Sequence, residues 1–98
     1  MYREYFFSSL ISVLMAKKAV ITPIDMYVIN FVRRLRQEKK IGQEMIAAII
    51  ETHRTFITNI ESPNHPAKYN LNHINALAFY FDMSPRDFLP REAIDPSI

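Results

Sequence analysis

The sequence contains no cysteine. This absence excludes a disulfide framework, a thiolate zinc site and a cysteine nucleophile. It is compatible with the reducing cytoplasm, where we expect this protein to act. The three histidines, His53, His65 and His73, are spaced twelve and eight residues apart, which matches no metal-site pattern. We therefore expect neither a metal nor a cofactor.

The sequence contains a single glycine, Gly42. A phosphate-binding loop rich in glycine is therefore excluded. Paired carboxylates do not stand out either, and Ser84 lacks the surroundings of a catalytic nucleophile, so no feature supports an enzyme. Alternation of apolar and polar residues is also absent. Together with a length of 98 residues, this favours one all-helical domain.

The sequence also lacks a clear membrane span or export signal near its start. The uncharged stretch Tyr5–Ala16 has twelve residues, too few to cross a bilayer. A signal peptide would carry more positive charge before this stretch, where Glu4 stands instead. We expect an amphipathic helix over residues 3–16; alternatively, translation begins at Met15. Apolar residues recur at helical spacing along this part of the chain, at Tyr2, Phe6, Leu10, Val13 and Leu14. We call residues 2–14 the leader segment.

Charge is distributed unevenly along the chain. Residues 1–40 hold eight Lys or Arg and three Asp or Glu, whereas residues 41–98 hold four and seven. A basic half next to an acidic half can orient a protein on an anionic polymer. A solvated surface of mixed charge explains the same numbers equally well.

Capping signals and apolar spacing predict five helices between residues 24 and 89. Thr22, Asn70 and Ser84 are good helix caps, and a proline follows two of them directly. Apolar residues recur at helical spacing through the region. The predicted helices cover about 24–39, 43–50, 53–61, 71–82 and 85–89.

The second and third predicted helices form the most informative stretch, residues 43–62. They are short and are joined by a turn at Glu51 and Thr52. Phe56, Ile57 and Ile60 fall on one side of the third helix, where they can anchor it. Hydrogen-bonding side chains fall on the other side, as suits a DNA major groove: Arg54, Thr55, Thr58, Asn59 and Ser62.

Residues 33–61, RRLRQEKKIGQEMIAAIIETHRTFITNIE, resemble the lambda-repressor-like helix-turn-helix family, also called the xenobiotic response element or Cro-type family. The shared pattern is a basic helix, Gln-Glu, an alanine four residues after the Gln, an apolar pair and a final Ile-x-x-Ile-Glu. Residues 70–89 are similar to the fourth and fifth helices of that family. The resemblance covers about residues 26–89.

The resemblance implies an all-α, five-helix DNA-binding domain over residues 23–90. The additional N-terminal helix would belong to an apolar extension, residues 1–22, and residues 91–98 would be a flexible tail. Two positions depart from the pattern of the family. Gly42 replaces a Ser or Thr cap, and Glu51 replaces a turn glycine. The turn therefore either avoids a positive φ or is modestly strained.

Several residues are candidates for DNA contact. Arg54 can pair with guanine or phosphate, Asn59 can pair with adenine, and Thr55 and Thr58 can contact bases or thymine methyl groups. The resemblance implies that Gln43 holds a phosphate at a helix N-terminus. Four basic residues are predicted phosphate ligands: Arg36, Lys39, Lys40 and Lys68.

Several of these residues also have a purely structural explanation that does not involve DNA. The cations at the end of the first helix complement its dipole, and Lys68 lies in a solvated loop. Glu61 is predicted to be structural, bonding to the backbone or to a basic side chain of the first helix.

These features predict a sequence-specific DNA-binding transcriptional regulator, acting as a homodimer on double-stranded DNA and inserting helix 53–61 into the major groove. The alternative is an antitoxin-type interaction module of the same fold, which neutralises a toxin partner and regulates its own expression. Met45, Ala48 and Ile49 make the second helix apolar nearly all round. We expect the leader segment or a dimer partner to cover them.

Overall fold

The structure, a computed structural model, describes residues 21–97 of the chain. This part of the chain is all-helical and contains no strand. Its elements are α1 (Pro23–Glu38), α2 (Gln43–Ile49), α3 (Arg54–Ile60), α4 (Leu71–Tyr80) and a 3₁₀ turn (Pro85–Phe88). The helix expected over residues 3–16 lies outside the described residues.

The four longer predicted helices are confirmed to within two residues, but the fifth is a 3₁₀ turn rather than an α-helix. The reason lies in the residues that follow it. Pro90 disfavours the helical conformation for the residue before it, and Leu89 is accordingly extended, with φ −112° and ψ 152°. Only four residues remain, which suits a short element of i to i+3 bonds.

Reciprocal side-chain caps begin α1 and α4 and the 3₁₀ turn, as the sequence predicts. In α1, the Thr22 N–H donates to the Asp25 carboxylate at 3.0 Å, and the Asp25 N–H donates to the Thr22 hydroxyl at 3.4 Å. In α4, the His73 N–H donates to Asn70 Oδ1 at 2.8 Å. The Asn70 N–H donates back to His73 Nδ1 at 3.1 Å, so a neutral histidine replaces the usual Glu or Gln of this box.

Three helices end on a residue in the left-handed conformation, and none of these residues is glycine. They are Lys40, Glu51 and Asp82, with φ of 55°, 58° and 55°. After each one, the next N–H bonds to the carbonyl five residues earlier, which closes the helix end. Of the two expectations for Glu51, a turn that avoids positive φ is therefore wrong, and the strain of the turn stays a prediction.

The core lies between α1 and the bundle of shorter helices. Its buried side chains are all hydrophobic, and the one buried polar atom that lacks a hydrogen-bond partner among the described residues is the hydroxyl of Tyr69. The 3₁₀ turn inserts Phe88, which is fully buried, with its ring 4.8 Å from that of Phe31 on α1. The other core residues are Val28, Ile29, Val32, Leu35, Ile46, Ala47, Ile50, Ile57, Ile60, Tyr69, Ile74, Leu77 and Ala78.

Candidate nucleic-acid interface

The α2–α3 pair packs through an apolar contact and leaves the polar side of α3 exposed. Ile57 and Ile60 of α3 are buried. Arg54, Thr55 and Thr58 are exposed, and Asn59 is half-buried. The helical period therefore places the predicted polar residues away from the core.

Glu61, directly after α3, ties this helix to α1. Its carboxylate accepts two hydrogen bonds from Arg36, from Nε at 2.9 Å and from Nη2 at 2.6 Å. Its backbone carbonyl accepts a bond from Arg33 Nη2 at 2.7 Å. Only 7% of the Glu61 side chain and 17% of the Arg36 side chain are exposed. The paired, two-point contact is a strong form of ion pair, and the predicted structural role of Glu61 is confirmed.

The ionised state of Glu61 follows from its neighbours. Burial alone would raise the pKa of this carboxyl, but the hydrogen bonds from Arg36 and Gln43 and the positive charge of Arg36 lower it overall below its usual value. The hydrogen bond to Glu61 raises the pKa of Arg36 in turn. Glu61 is therefore a pure hydrogen-bond acceptor at neutral pH.

Gln43 connects this ion pair to the exposed face of α3. Its Nε2 donates to Glu61 Oε1 at 3.0 Å, and its Oε1 accepts from the Thr58 hydroxyl at 2.7 Å. Because the ionised Glu61 can only accept, it fixes the orientation of the Gln43 amide. The amide then requires Thr58 to donate. The phosphate contact predicted for Gln43 stays a prediction.

Arg54, the first residue of α3, is available to a ligand. Its side chain is 69% exposed, and Nε lies 3.8 Å from the carboxylate of Glu44, which is 72% exposed. An ion pair this exposed contributes little, so a ligand can replace it. Sequence reasoning did not anticipate Glu44 beside Arg54, since contacts between two helices depend on their packing.

The four predicted phosphate ligands occupy different places. Lys39 and Lys40 are exposed at the end of α1, and Lys39 Nζ lies 5.1 Å from the centre of the Phe81 ring. Lys68 Nζ lies 3.2 Å from the Asp25 carboxylate, at the other end of α1. Asp25 and Lys39 are fourteen residues apart along α1, so about 21 Å separates these two groups. Arg36 lies between them and is engaged by Glu61.

Two short packed helices joined by a tight turn, with the second helix exposed on its polar side, define a helix-turn-helix protein. The family model described as helix-turn-helix domain matches residues 29–93, and the chain belongs to this family, in agreement with its lambda-repressor and Cro-type pattern. No curated protein and no solved structure matches the chain. None of the helices described between residues 21 and 97 is both long and apolar enough to cross a membrane.

Proposed function

We propose that this protein is a sequence-specific DNA-binding transcriptional regulator that inserts α3 into the major groove. The observation that carries the proposal is the anchoring of α3. Its own side chains Ile57 and Ile60 are buried in the core, and Glu61 holds its end against α1. A helix fixed on one side and polar on the other can present side chains to base edges in a defined register.

Arg54 is the principal base-reading residue in this proposal. It begins α3, and residues at the start of a recognition helix contact base edges in such proteins. Its partner Glu44 is exposed and loosely held, so exchanging it for a guanine edge costs little. Asn59 and Thr55 contribute further contacts, Asn59 from the far end of the helix.

Thr58 has a narrower role than its chemistry alone would allow. Its one hydroxyl proton lies toward Gln43 Oε1, at 2.7 Å, with Arg54 O also nearby at 3.2 Å. While that bond persists, the hydroxyl can only accept from DNA, as from the amino group of adenine or cytosine. Its methyl group can also contact thymine.

The phosphate ligands in this proposal are Gln43, Lys39, Lys40 and Lys68. Gln43 keeps one Nε2 hydrogen beyond its bond to Glu61. We assign Arg36 a structural role instead, because Glu61 engages it at two points. The protein would act as a homodimer in the cytoplasm, on DNA with two half-sites, and would have no catalytic role.

Selection of binding sites from random duplexes with the purified protein tests this function. The proposal predicts enrichment of a sequence with two-fold symmetry and half-sites about one helical turn apart, or a multiple of it. Selection without any enriched sequence, despite binding to the pool, would contradict sequence-specific regulation.

An antitoxin-type interaction module is the second candidate, and the exposed apolar surface near Met45 and Phe79 favours it. In this role, the surface would hold a toxin partner while α3 binds the promoter of the pair. A short toxin-like reading frame next to the gene, whose product co-purifies with this protein, would support the second candidate. A protein that binds its operator and has no such neighbour would favour the first.

A further inference from the structure

The ion pair between Glu44 and Arg54 lies at the start of the proposed recognition helix. The Glu44 carboxylate lies 3.8 Å from Arg54 Nε, and both side chains are exposed. This distance is too long for a hydrogen bond, so the contact occupies none of the N–H donors of the guanidinium. Glu44 therefore offsets the positive charge of Arg54 and leaves its capacity to donate hydrogen bonds intact.

Gly42, which replaces the Ser or Thr cap of the family pattern, leaves room for the Glu44 carboxylate. A Cβ atom on Gly42 would lie 2.5 Å from Glu44 Oε1 and 2.9 Å from Glu44 Oε2. The backbone at this position does not itself require glycine, since its φ is −87°. The position of Glu44 therefore accounts for the missing side chain, and the backbone does not.

Given the DNA-binding role proposed above for α3, we propose that Glu44 is a specificity-determining residue that turns phosphates away from Arg54 and admits base edges. A phosphate that approaches Arg54 carries a negative charge and meets the like charge of Glu44 a few ångströms away. The O6 and N7 acceptors of guanine belong to a neutral base, so the carboxylate opposes them far less. Glu44 thus weakens binding to DNA of any sequence more than binding to the correct site.

A carboxylate in the first turn of a helix also has a purely structural explanation, because it interacts favourably with the helix dipole. The two roles of Glu44 predict different results with DNA. A role limited to the dipole predicts that removal of the charge changes the melting temperature but not the relative affinity for two duplexes. The proposed role predicts that the relative affinity changes, and that the change depends on Arg54.

Glu44→Gln in the full chain tests this role, with Kd measured by fluorescence anisotropy on a selected and a scrambled duplex at one salt concentration. An exposed ion pair contributes up to about fivefold per protomer. We expect tighter binding of the scrambled duplex, and a fall of about threefold or more in the ratio of scrambled to selected Kd. Glu51→Gln, which removes an exposed acid from the turn between α2 and α3, should leave the ratio unchanged. An unchanged ratio for Glu44→Gln, or an equal fall for Glu51→Gln, would overturn the proposal.

Two further variants test how Glu44 acts. In a protein that already carries Arg54→Ala, Glu44→Gln should not change the ratio, because the carboxylate acts through Arg54. A fall as large as in the natural background would overturn the proposal. Gly42→Ala keeps every charge but forces the Glu44 carboxylate to move, so it should lower the ratio in the same direction. The natural ratio in Gly42→Ala would overturn the part assigned to Gly42.

The same titrations separate the role of Glu44 from the function of the protein. A natural protein that prefers its selected duplex, with the same ratio in Glu44→Gln, would overturn the role of Glu44 alone and leave sequence-specific binding in place. A natural protein without preference for any selected duplex would contradict the proposed function, and the role of Glu44 with it.

Discussion

At the scale of single residues, one carboxylate determines whether a solvent-facing hydroxyl donates or accepts a hydrogen bond within the protein. Glu61 is held ionised by Arg36, orients the amide of Gln43, and thereby makes Thr58 a donor inside the protein. The sequence alone predicted a structural role for Glu61 and an exposed position for Thr58. The helical period determines which residues of a helix face away from the core. It did not predict the Gln43–Thr58 bond, because the distance between two helices depends on how their apolar sides pack.

The first prediction at this scale concerns Glu61. Glu61→Gln removes the charge that pairs with the half-buried Arg36 and offers one acceptor in place of two. We expect the free energy of unfolding to fall by about 1.5–3 kcal/mol, the range for hydrogen bonds to charged groups. Urea denaturation measures this. Glu92→Gln, an exposed acid near the end of the chain, is the control and should have little effect. Equal urea midpoints for both variants would contradict a stabilising role for the ion pair between Glu61 and Arg36.

The second prediction concerns His73 and pH. Burial lowers the pKa of His73 below its usual 6.5, and its Nδ1 must be unprotonated to accept from the Asn70 N–H. The unfolded chain therefore takes up this proton at a higher pH than the folded chain. The stabilisation is complete above pH 6.5 and is lost as pH falls through the lowered pKa.

His73→Gln tests this directly. Glutamine can keep the reciprocal cap but cannot titrate. Between about pH 7.5 and pH 5, the urea midpoint of the natural protein should fall more than that of the variant. His53 and His65 are present in both proteins, so they cancel in the comparison. Parallel pH profiles would show that His73 does not carry the effect.

At the scale of elements, helix starts were easier to predict than helix ends. Thr22, Asn70 and Ser84 cap as their side chains suggest, because a cap depends on a local hydrogen bond. The ends close on Lys40, Glu51 and Asp82 without glycine. After Lys40 and Asp82, the apolar residues Ile41 and Met83 pack against the core, which favours the turn despite its positive φ. No apolar residue directly follows Glu51, and sequence reasoning could only leave its conformation open.

The prediction at this scale is stabilisation by glycine in the helix-turn-helix turn. Glu51 has φ 58°, a conformation that costs an L-residue with a side chain roughly 1–2 kcal/mol. Glycine removes this strain, although its unfolded state is more flexible. We expect Glu51→Gly to raise the free energy of unfolding by about 0.5–1 kcal/mol.

Glu44→Gly is the control for Glu51→Gly, because Glu44 lies within α2 and has no positive φ to relieve. It should destabilise the protein. Thermal unfolding of both variants measures the difference. A lower melting temperature for Glu51→Gly would mean that the turn is not strained.

At the scale of the whole molecule, the described domain carries both exposed basic residues and an exposed apolar surface near Met45 and Phe79. The sequence predicted an all-helical domain and an apolar surplus on α2, since composition and period decide both. It did not separate the basic residues by role. Arg36 and Lys39 are three positions apart, yet Glu61 engages one and the other is exposed.

The prediction at this scale is a steep dependence of DNA affinity on salt. Each neutralised phosphate contributes a slope of about −0.9 in log K against log salt, so a dimer using several lysines should show roughly −5 or steeper. Lys40→Gln should flatten the slope by about 1.8, one contact from each protomer. Arg91→Gln, exposed outside the proposed interface, should leave it unchanged. A nearly flat response of the natural protein would mean that this basic surface does not meet DNA.

The most direct test of the account compares Arg54→Ala with Lys39→Ala on two duplexes, one selected and one scrambled, at a single salt concentration. Both variants lose one exposed positive charge, but only Arg54 lies on α3. Fluorescence anisotropy should show that Arg54→Ala costs about 1–3 kcal/mol on the selected duplex and much less on the scrambled one. Lys39→Ala should weaken both by the same factor, because a phosphate contact carries no sequence information. Equal weakening of the two duplexes by Arg54→Ala would contradict base reading from the start of α3.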